Sequence, residues 1–236
     1  INLTYSSTAS SHLIREGFPV NQIIKIGSPM KEVINYYKFG FDNSDILNKF
    51  ELTKGEFFLM SSHREENIED QNMFAKLIET INFITEKYKL PLIISLHPRT
   101  KNKLIENEIK FNEHVRLTKP LGYFDYMSLQ SNAKVVLSDS GTITEESSIM
   151  NFPALNIRQT HERQEGMEEG TVIMSGLNSK RIEQGLEILD KKAKLHQDEK
   201  IKIVQEYDVD NVSEKVSRII ISYVDYINYY VWHKKD

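Results

Sequence analysis

An α/β fold built on a doubly wound, mostly parallel sheet is what this sequence predicts, and three observations carry the prediction. Short apolar runs, such as Leu92-Ile-Ile-Ser-Leu96 and Val135-Val-Leu137, recur along the chain. Between them lie segments whose apolar residues return at spacings of three and four, as Phe74, Leu77, Ile81, Ile84 and Tyr88 do; that is the period of a helix with one buried stripe. Strands alternating with helices in this way point to a parallel sheet covered on both faces. Thirdly, polar clusters follow the strand-like runs directly, where such a sheet opens its ligand crevice.

Taken in order, Ile1 to Tyr5 reads as a short strand, and Ser7-Thr-Ala-Ser10 offers caps for a helix that stops at Gly17. Ile23 to Gly27 is a second strand. Ser28-Pro29 opens a helix over Met30, Val33, Tyr36 and Tyr37, with proline in its tolerated first turn. Phe41 to Phe50 reads as a connector with a short helix. Glu56 to Met60 is a buried strand that empties into Ser61-Ser-His-Arg-Glu-Glu-Asn67. After the helix through Tyr88 come the strand Leu92–Leu96, ending at His97-Pro-Arg99, a Lys-rich helical segment, and the strand Val115–Leu117. Tyr123 to Leu129 is helical, Val135–Leu137 and Ala154–Ile157 are strands, and Ser179 to Gln205 is a charged helix or helix pair. Asn211-Val-Ser-Glu214 resembles a capping box opening a last helix, striped by Val212, Val216, Ile219, Tyr223, Ile227 and Tyr230. The expected division is residues 1–206 as a nucleotide-binding domain and residues 207–236 as a terminal amphipathic helix, packing on it or on a missing amino-terminal domain.

Composition narrows the function classes. The 236 residues suffice for a sizeable core, and 39% hydrophobic content is ordinary for a globular chain. A formal net charge of −4 argues against a nucleic-acid partner, which needs a basic face. With no cysteine, thiolate catalysis and zinc–sulfur sites are excluded. The apolar runs are too short to cross a bilayer, so no membrane insertion is expected and the cytoplasm is the expected location. The seven histidines are scattered without ligand spacing, so no metal site is expected. The chain opens on Ile1 in a strand-like run, which raises the expectation of a carboxyl-terminal piece of something longer.

The stretch Leu137-Ser-Asp-Ser-Gly-Thr-Ile-Thr-Glu-Glu146 reads as strand, tight turn and helix start. Two readings are open. Gly141 and Ser140 serve only to end a strand and cap a helix, or the glycine lets the backbone approach a phosphate while Ser140, Thr142 and free N–H groups donate to it. Glu146 lies five residues past Gly141, roughly 7.5 Å along a helix rising about 1.5 Å per residue. A carboxylate at that distance suits ribose hydroxyls, whereas Glu145 projects elsewhere and reads as structural. His63 and Arg64 follow a strand end, as do His97 and Arg99. They either anchor loops and surface ion pairs or offset charge on a departing diphosphate, with His63 able to pass a proton. The loop carrying Arg158, Thr160, Glu162 and Arg163 is either solvated or directs its arginines to phosphate and its acids to hydroxyls.

Together Ser62-His-Arg-Glu-Glu-Asn67, Leu96-His-Pro98, Asp139-Ser-Gly141 with Glu145-Glu146, and Thr160-His-Glu-Arg163 followed by Glu169-Gly-Thr171 resemble the non-hydrolysing UDP-N-acetylglucosamine 2-epimerases. The resemblance runs to about residue 190 and covers only the carboxyl-terminal half of that family's chain. It implies a glycosyltransferase-B-type pair of Rossmann-like domains, of which this is the nucleotide-binding one. The implied reaction eliminates UDP to leave a 2-acetamidoglycal, then adds it back with inversion at C2 of a UDP-N-acetylhexosamine, without a cofactor. By match, Ser140 and Gly141 hold the diphosphate, Glu146 the ribose, and His63 stabilises the departing UDP. Tyr126 falls where the family places an aromatic near uracil; Arg64, His97, Arg99 and Thr142 complete the expected UDP set. The family's acid/base carboxylates lie outside this chain, so UDP binding without turnover is expected, and a homo-oligomer is left open. Ser62, Thr142 and Gln164 stand where many members have Gly, Gly and Pro. The tail, Tyr207 to Ser213 and Ser222 to Trp232, resembles a branch acting on UDP-2-acetamido-2,6-dideoxy-L-talose to give UDP-N-acetyl-L-fucosamine for surface polysaccharides. A glycosyltransferase donor domain and a non-catalytic UDP-binding module are the alternatives.

Overall fold

The structure is a computed structural model describing residues 1–62, 69–96, 98–160, 162–195 and 202–234. Its contacts divide the chain into two compact units, Ile1–Tyr36 with Val204–Asp236, and Tyr37–Ile203.

The larger unit is the predicted α/β sheet. Its strands are β3 (Phe58–Ser62), β4 (Leu92–Leu96), β5 (Val115–Thr118), β6 (Val135–Ser138), β7 (Ala154–Asn156) and β8 (Ile173–Met174). Every pairing is parallel, in the spatial order β5-β4-β3-β6-β7-β8. Counted within this sheet, the order runs third, second, first, fourth, fifth, sixth, so the winding reverses between β3 and β6. Ligands of doubly wound sheets bind beyond the carboxyl ends of the strands at such a reversal.

Alternation along β3 builds a core on each face. Phe58 and Met60 join Phe74, Leu77, Ile81 and Ile84 of α4 (Gln71–Tyr88) and Ile182 and Leu186 of α9 (Ser179–Leu195). Phe57 and Leu59 join Leu129 of α6 (Tyr123–Asn132) and Ile143 of α7 (Ile143–Met150) on the other. The expected stripe on α4 is thus the buried one; Asp70 caps that helix, accepting from the Met73 N–H at 2.9 Å. The loop after β7 contains a short helix, α8 (Gln164–Glu168), too brief to show a period.

β3 runs two residues further than the expected Met60. Ser61 and Ser62 belong to the sheet because parallel register pairs them with Ser95 and Leu96, and Ser61 also with Ser138. Their hydroxyls find partners across the sheet, which makes the polar residues tolerable at a buried strand end.

The smaller unit holds β1 (Asn2–Thr4), α1 (Ser7–Arg15) and β2 (Ile23–Lys25), the first part of α2 (Met30–Asp42), and α10 (Val212–Tyr226) followed by a π-type turn, Ile227–Val231. β1 and β2 pair only with each other among the described residues, as a two-stranded parallel sheet separate from the six strands. The expected boundary at residue 206 therefore differs from the contacts: the first strand–helix–strand group clusters with the chain's last helix. The expected capping box at Asn211 does not form, since Asn211 makes no side-chain cap bond. Glu32 of α2 takes its place, accepting from the Ser213 N–H at 2.8 Å and the Ser213 hydroxyl at 3.1 Å. No helix among the described residues is long and apolar enough to cross a membrane.

Candidate nucleotide site

At the winding reversal the ends of β3 and β6 are tied together by side chains. The Ser61 and Ser138 hydroxyls lie 2.9 Å apart, and the Ser62 hydroxyl donates to Asp139 Oδ2 at 3.0 Å. From α6, the Tyr126 hydroxyl donates to Ser61 Oγ at 2.9 Å. The ladder continues into the turn, where the Ser140 N–H donates to Ser138 Oγ at 3.1 Å. Ser140 Oγ then accepts from the Thr142 N–H at 3.3 Å and lies 2.9 Å from Thr142 Oγ1. Ser140 therefore closes the turn, and Thr142, which precedes α7, makes no side-chain cap bond to it. The start of α7 thus lacks a side-chain cap from Thr142, and a helix start without such a cap has backbone N–H groups to offer an anion.

The opposite wall comes from the end of β7. Arg158 is held by its N–H donating to Asn156 Oδ1 at 2.9 Å, and its side chain is only 5% exposed. Nη2 pairs with Glu162 Oε1 at 2.8 Å, while Nη1 is buried and has no hydrogen-bond partner among the described residues. Gly141 faces this group: a Cβ there would stand 3.8 Å from Glu162 Oε2 and 3.9 Å from Arg158 Nη1. A buried guanidinium nitrogen without an acceptor costs free energy unless an anion reaches it.

Glu146 lies one turn into α7. Its Oε2 accepts from Gln130 Nε2 of α6 at 2.7 Å, and the Thr142 side chain also hydrogen-bonds it. Burial raises its pKa above the usual carboxylate value, and the two hydrogen bonds act against that rise. Burial likewise pushes the Tyr126 phenol up to about 12, with the charge of Glu146 adding to the effect. Tyr123, 42% exposed, also feels the Glu146 charge and packs edge-on against Tyr37 at 5.8 Å.

The chain as a whole is similar to known proteins. The family model for UDP-N-acetylglucosamine 2-epimerase matches residues 1–221. The chain belongs to the UDP-N-acetylglucosamine 2-epimerase family. A curated member from Methanocaldococcus jannaschii is 31% identical over 188 residues, which is 77% of this chain and 51% of that protein. The 2-epimerase structure from Rickettsia bellii superposes with a TM-score of 0.90 at 40% identity, covering 99% of this chain and 62% of that one. The Methanocaldococcus jannaschii UDP-GlcNAc 2-epimerase, solved with UDP-GlcNAc and UDP, gives 0.80 at 28% identity, covering 93% and 60%. The chain thus spans about half the length of the curated relatives it matches.

Of the residues expected at an epimerase site, Ser140, Gly141, Thr142, Glu146, Tyr126, Arg158 and Glu162 gather around the β3–β6 crevice. Arg163 instead pairs with Glu145 at 3.1 Å, and that carboxylate is 2% exposed. Glu145 is accordingly part of the packing between α7 and the following loop. Thr160 is exposed, and Arg99 sits exposed in the first turn of α5 (Pro98–Glu106). His63, Arg64 and His97 lie outside the described residues. Ser61 and Asp139 stand in the sequence motifs without a role assigned to them, and Gln130 stands outside the motifs. The last had one visible signal, its position four residues after Tyr126 on a helix, which puts both side chains on one face.

Proposed function

We propose that this chain is the nucleotide-holding part of a UDP-N-acetylhexosamine 2-epimerase acting in bacterial surface-polysaccharide precursor synthesis. The observation that carries the reading is the buried Nη1 of Arg158, which has no hydrogen-bond partner among the described residues, beside Gly141 at the start of α7. Arg158, the Gly141 backbone and the first N–H groups of α7 bind the diphosphate, and Glu146 accepts hydrogen bonds from the ribose. The full reaction removes a proton from C2 as the C1–oxygen bond to UDP breaks, leaving a 2-acetamidoglycal. UDP then re-adds at C1 as C2 takes a proton on its other face. Residues that hold UDP firmly favour both halves, because they keep the leaving group in place and offset its charge. His63 is assigned to that charge, and the proton-moving carboxylates to the rest of the protein, so this chain alone binds UDP without turnover.

The test is to incubate the full-length protein with substrate in heavy water and follow C2 by NMR. Deuterium at C2 supports an epimerase; transfer or hydrolysis without exchange would support a glycosyltransferase donor domain instead. Supplying UDP-GlcNAc and UDP-2-acetamido-2,6-dideoxy-L-talose in parallel identifies the sugar. The tail from Tyr207 to Trp232 favours the latter.

A further inference from the structure

Gln130 is 1% exposed, yet half of its amide has no partner among the described residues. Nε2 donates to Glu146 Oε2 at 2.7 Å, and the side chain also hydrogen-bonds the Tyr126 hydroxyl. Oε1 is buried without a partner among the described residues. A fully buried amide normally satisfies both ends, and an apolar side chain of the same size would fill this space without that cost. The amide instead delivers its donor to a carboxylate at the crevice. Tyr126, one turn earlier on α6, anchors the Ser61–Ser138–Ser140 ladder at the other end of the turn. One face of α6 thus supports both ends of the candidate nucleotide site.

We infer that Gln130 is a positioning residue whose donated N–H holds the Glu146 carboxylate in its charged form, ready to accept hydrogen bonds from the ribose. The inference rests on the UDP reading. Several groups bear on the carboxylate's protonation. Glu145 repels its charge, Thr142 bonds it from the turn, and the Tyr123 and Tyr126 phenols feel it from α6, where Asp139 also acts on Tyr126. Burial and Glu145 favour the neutral acid; Gln130 and Thr142 favour the anion.

The experiment is calorimetric titration of the protein with UDP from pH 5 to pH 8, comparing wild type, Gln130→Met, Gln130→Glu and Glu146→Gln. Gln130→Met keeps the volume and loses the donor. Its affinity is expected near wild type at pH 8, with the acid-side fall moved up by about one pH unit, so that below the midpoint it binds about tenfold more weakly than wild type. Gln130→Glu sets a second carboxylate against Glu146 and moves the fall further up. Titration of the UDP β-phosphate is common to all four proteins and cancels in the differences. A uniform loss at every pH, or no change, in whichever Gln130 variant folds would overturn the positioning role. Loss of UDP binding in Glu146→Gln beside an unshifted Gln130→Met profile sinks this inference alone. Wild type failing to bind UDP removes the nucleotide reading and this proposal with it.

Discussion

Arg158 Nη1 lies 3.9 Å from the point where a Cβ would stand on Gly141, with Glu162 Oε2 beside it at 3.8 Å. At 3.8–3.9 Å, the methyl of Gly141→Ala would make ordinary contacts with Glu162 and Arg158. Unfolding free energy should change by less than about 0.5 kcal/mol. UDP affinity should fall at least about tenfold, or ~1.4 kcal/mol, because the methyl occupies the approach to the turn. Thermal melts and calorimetry on the same preparation check both halves; unimpaired UDP binding would remove the diphosphate from this turn.

Arg158→Met should weaken UDP by about 1.5–3 kcal/mol, the range for hydrogen bonds to charged groups. Its effect on folding should be small, since the Glu162 side chain left behind is 58% exposed and can be solvated. Calorimetry against denaturant unfolding separates the two. A variant that unfolds readily and, once stabilised, still binds UDP would make Arg158 a structural residue.

Glu146→Gln should show stability and binding moving in opposite directions. The Glu146 pKa is raised by burial, so the native state holds more protons than the unfolded chain between the ordinary carboxyl value and the raised one. The stability linked to this group is present below the ordinary value and is lost as pH rises through the raised one. Removing the charge should therefore stabilise the ligand-free protein at pH 7, on the order of 1 kcal/mol, with little gain at pH 4. Glu146→Ala should cost UDP affinity about 1.5–3 kcal/mol. Melting curves at both pH values, with and without UDP, are the measurement.

Arg163→Ala removes the guanidinium paired with the Glu145 carboxylate, which is 2% exposed. Breaking a buried pair by removing one partner leaves an uncompensated charge. A loss of about 2–3 kcal/mol is expected, to be read by urea unfolding, with Arg163→Lys losing less. If Arg163 served only the ligand, stability would not move and UDP affinity alone would drop.

Gly166→Ala is expected to destabilise by about 1–3 kcal/mol through overpacking. The new Cβ would stand 2.0 Å from Thr144 Cγ2, so α8 must move away from α7. The companion Thr144→Ser removes the methyl in the way, and the double variant should recover much of the loss. Additive unfolding energies in that cycle would contradict direct contact.

The α/β class, the helix stripe on α4 and the strand, turn and helix start around Asp139-Ser-Gly141 were legible because each is a local pattern. Alternation, the three-four spacing and a glycine after a strand need only neighbouring residues. Parallel pairing was legible too, from helices placed between strands. The two-residue extension of β3 was not, because Ser61 and Ser62 look like loop until a strand 77 residues later offers Ser138 and Asp139 as partners. The separate pairing of β1 with β2 was hidden for the same reason, as was the capture of Ser213 by Glu32 across 181 residues of chain.

The sequence by itself determined which side chains could serve a nucleotide, among them Ser140, Gly141, Glu146 and the loop arginines Arg158 and Arg163, in an order that resembles one family. Only the tertiary structure decided which of these arginines pairs with a buried acid. Burial and distance made that choice, pairing Arg163 with the enclosed Glu145 and leaving Arg158 Nη1 beside Gly141 without an acceptor among the described residues. Sequence spacing carries residue type and local period; the free energy of a buried charge depends on what the fold brings within hydrogen-bond reach of it.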